Sequence, residues 1–157
     1  MFHRGEVPIN LYRIARWLYL RRVPFFPWLI RALNSIIFGV VLPPSAQLGK
    51  GVLLSYQGLG TAIHRRAVIG DKAVIGTGVT IGGRAGYEDV PVIGEGTMIG
   101  SGAKVLGPIR IGCHASIGAN AVVLSDIPDY AVAVGIPARV VRTQRPEDVP
   151  DYFAFKQ

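Results

Sequence analysis

Two stretches decide the fold: IGDKAVIGTGVTIGG (Ile69–Gly83) and VIGEGTMIGSGAKVLGPIRIGCHASIGANAVV (Val92–Val123). An aliphatic residue followed by glycine recurs at Leu48 and then, at positions that differ from one another by multiples of six, at Ile69, Ile75, Ile81, Ile93, Ile99, Ile111 and Ile117. Four positions after an aliphatic start comes a small or β-branched residue: Val52, Ala67, Ala73, Val79, Thr97, Ala103, Ala115 and Ala121. Ile63, Val105 and Val123 continue the series without the glycine, and from Ile63 to Val123 every start differs by a multiple of six. Such a period predicts a parallel β-solenoid, in which each aliphatic side chain points inward and stacks on its counterpart one coil away. Glycine lets the backbone turn a corner, and the small residue packs inside it. One coil is irregular: LSYQGLGTA (Leu54–Ala62) places nine residues where six would fit.

Outside the repeat the chain follows different rules. It has 157 residues, half of them apolar and 17% charged, which excludes a disordered chain. Twenty glycines and eleven prolines show no Gly-X-Y register, so the chain is not collagen-like. A single cysteine, Cys113, rules out an internal disulfide framework and a cysteine-based zinc site, and it fits a reducing compartment. The net charge is +7, and residues 1–40 carry five of those charges, from six arginines against Glu6. The same forty residues hold eight of the fourteen aromatics and both tryptophans.

This N-terminal segment reads as two helices. Leu11, Ile14, Ala15 and Leu18 fall at helical spacing behind Asn10 as N-cap. Pro24 ends that helix, and Pro27 opens a second over Trp28–Phe38, with Leu29, Leu33 and Ile36/Ile37 along one side. No apolar run is long enough to span a bilayer, and Arg21 and Arg22 interrupt any signal-peptide core. The expected location is therefore cytoplasmic. Arginines among tryptophans suit either packing against the solenoid or a neighbouring subunit, or peripheral contact with an anionic membrane face. Nucleic acid is not expected, because no recognition motif accompanies the charge. The organisation expected is a helical region (1–41), a solenoid (42–142) and a tail (143–157).

The hexads resemble those of the hexapeptide-repeat acyltransferases, which implies a left-handed β-helix with three hexads per coil. From Ile93 to Arg142 the sequence IGSGAKVLGPIRIG…ASIGANAVVLSDIPDYAVAVGIPARVV looks like the C-terminal half of serine acetyltransferases. VTIGG (Val79–Gly83), then a loop, then VPVI (Val90–Ile93) resembles that family's Gly-Gly segment and extruded loop. The resemblance covers Leu42 to Arg142. It implies acetyl-CoA as co-substrate, no metal, and a site in a groove between subunits of a homotrimer. Acyl transfer from a thioester needs a general base for the attacking hydroxyl and a backbone N–H for the developing oxyanion.

The resemblance places Gly82 and Gly83 at the thioester, Ser101, Gly102, Ala103 and Lys104 along the pantetheine, and Arg139 and Arg142 near the nucleotide. Three positions depart from it: Tyr56 stands where the family has its catalytic histidine, Val90 where a loop histidine is expected, and Val41 near the expected acid. Of the three histidines, His3 is terminal and His114 lies mid-hexad. His64 takes the glycine position of IHRRAV beside the irregular coil, where Gly58 and Gly60 permit close backbone approach. His64 is thus the candidate base, or else a structural histidine at an interface. Tyr56, Glu88 and Asp89 are candidate acceptor contacts, Glu88 and Asp89 lying in a loop (Arg84–Pro91) expected to fold over the site and orient His64.

The expected function is an acetyl-CoA-dependent O-acetyltransferase acting on a sugar hydroxyl of an exopolysaccharide, capsule or lipid-linked glycan. Serine O-acetylation is the first alternative and a non-catalytic scaffold the second. A γ-type carbonic anhydrase is discounted, because it needs three converging histidines and the repeat contains two.

Overall fold

The computed structural model describes residues 6–149, so His3 lies outside it. Fourteen short strands follow two helices, α1 (Glu6–Leu20) and α2 (Phe26–Phe38). The first coil holds β1 (Gln47–Leu48), β2 (Leu53–Leu54) and β3 (Ala62–Ile63), and the second β4 (Val68–Ile69), β5 (Val74–Ile75) and β6 (Thr80–Gly82). The third holds β7 (Val92–Ile93), β8 (Met98–Ile99) and β9 (Lys104–Leu106), and the fourth β10 (Arg110–Ile111), β11 (Ser116–Ile117) and β12 (Val122–Val123). β13 (Ala131–Gly135) and β14 (Ala138–Thr143) follow as an antiparallel pair.

Strands one coil apart pair in parallel and build three walls, β1-β4-β7-β10, β2-β5-β8-β11-β13-β14 and β3-β6-β9-β12. The fold is a left-handed parallel β-helix of about four coils, as the six-residue period implied. Each aliphatic start meets its own kind: Ile63 pairs with Ile81 and Ile81 with Val105, while Ile75 pairs with Ile99 and Ile99 with Ile117. All are buried, together with Ala67, Ala73, Val79, Ala103, Ala115 and Ala121 at the small positions.

The glycines after the aliphatic starts serve a different purpose from the one expected. A Cβ on Gly70, Gly76, Gly94 or Gly100 would stand 2.5–2.6 Å from backbone nitrogen of the next coil. These glycines are needed because coils stack backbone on backbone. The left-handed corners come two residues later, at Lys72, Gly78, Gly96, Gly102, His114 and Asn120, all with φ between 54° and 76°. Glycine is not needed at all of them, since Asn and His tolerate this region better than most residues.

At the N-terminal end, α1 covers the edge of the first coil. Pro8, Ile9, Tyr12 and Ala15 are buried, while Leu11 and Leu18 are half-buried and Ile14 is exposed. Asn10 lies inside α1 and is no N-cap. The Tyr12 hydroxyl donates to the Ala46 carbonyl (2.6 Å) and accepts from the Leu48 N–H (3.2 Å). Arg13 donates to the carbonyls of Leu48 (2.7 Å) and Gly49, and Arg16 to those of Pro44 (3.1 Å) and Ala46 (2.8 Å). These two arginines do not reach for water. They satisfy main-chain carbonyls that have no preceding coil to pair with.

α2 folds back on α1 through Pro27 and Asn34, its buried residues, and Asn34 donates to the Pro8 carbonyl (3.0 Å). Leu29, Leu33, Ile36 and Ile37 do share a side, but that side is exposed. No helix among the described residues is long and apolar enough to cross a membrane.

Candidate functional site

The irregular coil bulges at Ser55–Gly58, where Tyr56 and Gln57 both adopt left-handed backbone (φ 49° and 61°). Tyr56 is therefore thrown outward and is 73% exposed. The chain rejoins the repeat at Thr61, whose hydroxyl donates to the Gly76 carbonyl (3.1 Å), and reaches His64 directly after β3.

His64 opens a turn in which the Ala67 N–H donates to the His64 carbonyl (3.0 Å). Its own N–H donates to the carbonyl of Ile81 on β6 (2.8 Å), which sets it one coil from Gly82 at the same corner. Adjacent strands lie roughly 4.8 Å apart, so imidazole and glycine border the same few ångströms of surface. The structure thus brings His64 and Gly82 together, as expected. The ring is half-buried, and its pKa is lowered first by desolvation and then by Arg66 and Arg65. It is held in the neutral form that a base requires.

Its tautomer is also set. The Arg66 N–H donates to His64 Nδ1 (3.2 Å), so the neutral ring carries its proton on Nε2. In this state Nε2 can only donate. For Nε2 to accept a proton from a hydroxyl, the Arg66 contact must open and the ring proton must move to Nδ1. Glu88 and Asp89 do not orient the ring: both are exposed and neither hydrogen-bonds to it.

Gly82 and Gly83 differ from the stacking glycines. A Cβ on Gly82 would meet nothing closer than 3.6 Å, and one on Gly83 nothing closer than 3.8 Å. Neither has positive φ, so the fold does not demand glycine at either place. Neither coil stacking nor a left-handed corner requires glycine at Gly82 or Gly83. The Gly82 carbonyl accepts from the Gly107 N–H (3.0 Å), whereas the Gly83 N–H meets no acceptor among the described residues. Gly83 is exposed and free to donate to an oxyanion.

The expected nucleotide end is more dispersed. Lys104 lies on the outer side of β9, but its ammonium donates to the Gly78 carbonyl one coil away (2.7 Å). Ser101 is exposed at the corner, and Gly102 follows in left-handed backbone. Ala103 turns its methyl into the core and is fully buried, so it offers no side-chain contact to a cofactor. Arg139 and Arg142 are exposed on β14, opposite Val134 and Val132 of β13. They belong to a different wall from Lys104, although β14 also reaches β12.

The loop Arg84–Pro91 makes no hydrogen bond to the His64 ring. Its residues 84–89 are exposed, and it closes on itself through the Tyr87 N–H to the Arg84 carbonyl (3.1 Å) and the Arg84 guanidinium 5.6 Å from the Tyr87 ring centre. Its end forms one side of a cleft of about 390 Å³ lined by Arg66, Asp89, Val90, Val92, Pro108, Ile109 and Arg110. Arg66 and Arg110 were not anticipated. The signal was available in the hexad phase, because Val68, Val92 and Arg110 occupy one outward column. His64 and His114 stand at different corners, with His114 stacked on Tyr130 (5.2 Å), and no group of three metal-binding side chains forms among the described residues.

Residues 91–125 match the family described as bacterial transferase hexapeptide (six repeats). A serine acetyltransferase of Bacillus pumilus is 37% identical over 159 residues, an alignment that spans 95% of this chain and 73% of that one. The chain belongs to the serine acetyltransferase family of hexapeptide-repeat proteins. A Synechococcus elongatus serine acetyltransferase is 41% identical over 139 residues, covering 87% of this chain and 57% of the relative. Among solved structures, Brucella abortus serine acetyltransferase in complex with coenzyme A superposes with a TM-score of 0.81 at 35% identity, over 87% of this chain and 55% of that one. Neisseria gonorrhoeae serine acetyltransferase in complex with serine gives 0.84 at 38% identity, over 90% and 58%. This family member spans little more than half the length of most of these homologues.

Proposed function

We propose that the chain is an acetyl-CoA-dependent O-acetyltransferase with serine as acceptor. The observation that carries the chemistry is the corner where a neutral imidazole borders two glycines that the fold does not require, one with a free N–H. A thioester carbonyl seated there receives the Gly83 N–H as its oxygen becomes anionic. Once the Arg66 N–H has released Nδ1 and the ring proton has moved there, His64 Nε2 takes the proton of the attacking hydroxyl. The ester C–O bond forms, the C–S bond breaks, and the proton passes to the departing thiolate as free CoA. The homologues crystallised with coenzyme A support acetyl-CoA as the donor. A homotrimer fits this reading, because the corner is open and Lys104 stands on a different wall from Arg139 and Arg142, so that a neighbouring prism could bring both walls to one cofactor.

The relatives favour serine over the glycan expected from the sequence. The cleft beside the His64 turn has matching chemistry: Arg66 and Arg110 for a carboxylate and Asp89 for an ammonium. A sugar hydroxyl is the second reading, favoured by Tyr56, Val41 and Val90 at positions where the family resemblance calls for polar catalytic groups. Free CoA measured with L-serine and with a hexose, for wild type, His64→Ala and Arg66→Ala, tests both. Turnover of serine, abolished by H64A and with a raised KM in R66A, is expected. Turnover of the hexose alone overturns the serine reading. Absence of acetyl-CoA binding by calorimetry overturns the enzyme reading in favour of a scaffold.

A further inference from the structure

The helical hairpin exposes a surface that the proposed acyl transfer does not use. Ile14, Trp17 and Leu20 of α1, Phe25 at the bend, and Trp28, Leu33, Ile36 and Ile37 of α2 are each more than two-fifths exposed, and Ile36 reaches 81%. Contiguous apolar exposure on this scale marks an interaction site. Two independent features identify what meets it.

The first is charge. Between Glu6 and Asp71 the sequence contains no acidic residue, and eight Lys or Arg. Arg13 and Arg16 are consumed by the carbonyls of the first coil. Arg21 and Arg22 are not: they lie exposed just past the end of α1, and Arg31 lies half-buried within α2. The second is how aromatics and cations are combined. The Arg21 guanidinium stands 4.2 Å from the Trp17 ring centre, Arg31 stands 5.8 Å from that of Trp28, and Tyr19 meets Trp28 edge to face at 6.5 Å. Amphipathic rings beside guanidinia suit the boundary between headgroups and acyl chains, where indole sits at the polar level and the cation meets phosphate. A second copy of the same hairpin fits poorly, since it would set Arg21, Arg22 and Arg31 against an equally cationic surface with no carboxylate to pair them.

We propose that the α1–α2 hairpin docks the protein on an anionic lipid surface, with Trp17 and Trp28 inserted at the interface and Arg21, Arg22 and Arg31 on the headgroup phosphates. Binding is peripheral, as neither helix spans a bilayer. Because both tryptophans of the chain lie on this face, intrinsic fluorescence reports the contact directly.

The full chain, mixed with vesicles of phosphatidylcholine alone or with 30% phosphatidylglycerol, is followed by sedimentation and by tryptophan emission. Expected are co-sedimentation and a blue shift with the anionic vesicles only, both weakening as salt rises. Arg21→Gln/Arg22→Gln, remote from the solenoid contacts, is expected to fold normally and bind about 30-fold more weakly, roughly fivefold per cation. No binding to anionic vesicles at low salt overturns the proposal. So does equal binding to neutral vesicles with no effect of R21Q/R22Q. A blue shift that grows with protein concentration in the absence of lipid, alongside a larger sedimenting species, assigns the face to a second copy and overturns it as well.

Discussion

The solenoid and the helical hairpin are both rich in apolar residues, yet they use them in opposite ways. In the solenoid, Ile63, Ile75, Ile81 and Ile99 each meet an aliphatic partner one coil away and are nearly inaccessible to water. In the hairpin, Pro27 and Asn34 are the buried residues of α2, while six large apolar side chains of the same helix face outward. The lesson is that hydropathy fixes what a segment could bury, and only register with a partner fixes whether it does so. In the hairpin that partner is another surface.

Function gives the largest expected contrast. His64→Ala should lower kcat by about 10²- to 10⁴-fold, the usual worth of a general base, and leave acetyl-CoA affinity unchanged by calorimetry. An equal loss in hairpin variants would break the division between a catalytic solenoid and a docking hairpin. Stability comes next. Ile99→Ala should cost about 2–5 kcal/mol in chemical denaturation, whereas Ile36→Ser on α2 should stay within about 0.5 kcal/mol. Comparable losses would mean that Ile36 is covered in solution.

The two kinds of glycine make a finer test. Gly100→Ala pushes a methyl to 2.6 Å from the Ala119 nitrogen and should cost about 1–3 kcal/mol. Gly82→Ala has room in the fold and should leave the melting temperature near wild type while raising the KM for acetyl-CoA. The smallest effect concerns pH. Desolvation and Arg66 and Arg65 favour neutral His64, so its folded pKa lies below the ordinary histidine value. The kcat/KM profile should therefore still be near its plateau at pH 6.5 and fall through an acid limb whose midpoint lies below that pH. An acid limb above pH 6.5 would place the titrating base elsewhere.

Much of the fold was legible because each hexad states its own inward residue. The same phase located the irregular coil at Leu54–Ala62, whereas the loop Arg84–Pro91 keeps the phase and was placed by the family resemblance. The reason for the glycines was not legible, because closeness between coils depends on a neighbour twenty or so residues away. Nor could periodicity distinguish the apolar side of α2 from a buried one, since both carry the same spacing. Arg13 and Arg16 read as surface charge, and only the bare carbonyls of the first coil explain them. At the site, the pairing of His64 with Gly82 followed from the register. The Arg66 N–H on Nδ1 did not, because it depends on the conformation of one turn.

The way α1 closes the first coil bears on the length of the assembly. A parallel solenoid has no intrinsic end: the last strand of each wall is shaped to receive another copy of itself. Tyr12, Arg13 and Arg16 occupy the carbonyls that an incoming strand would use, and the antiparallel turn of β14 breaks the repeat at the far end. The helix is thus a stop to polymerisation, which keeps a stackable architecture at a fixed number of coils.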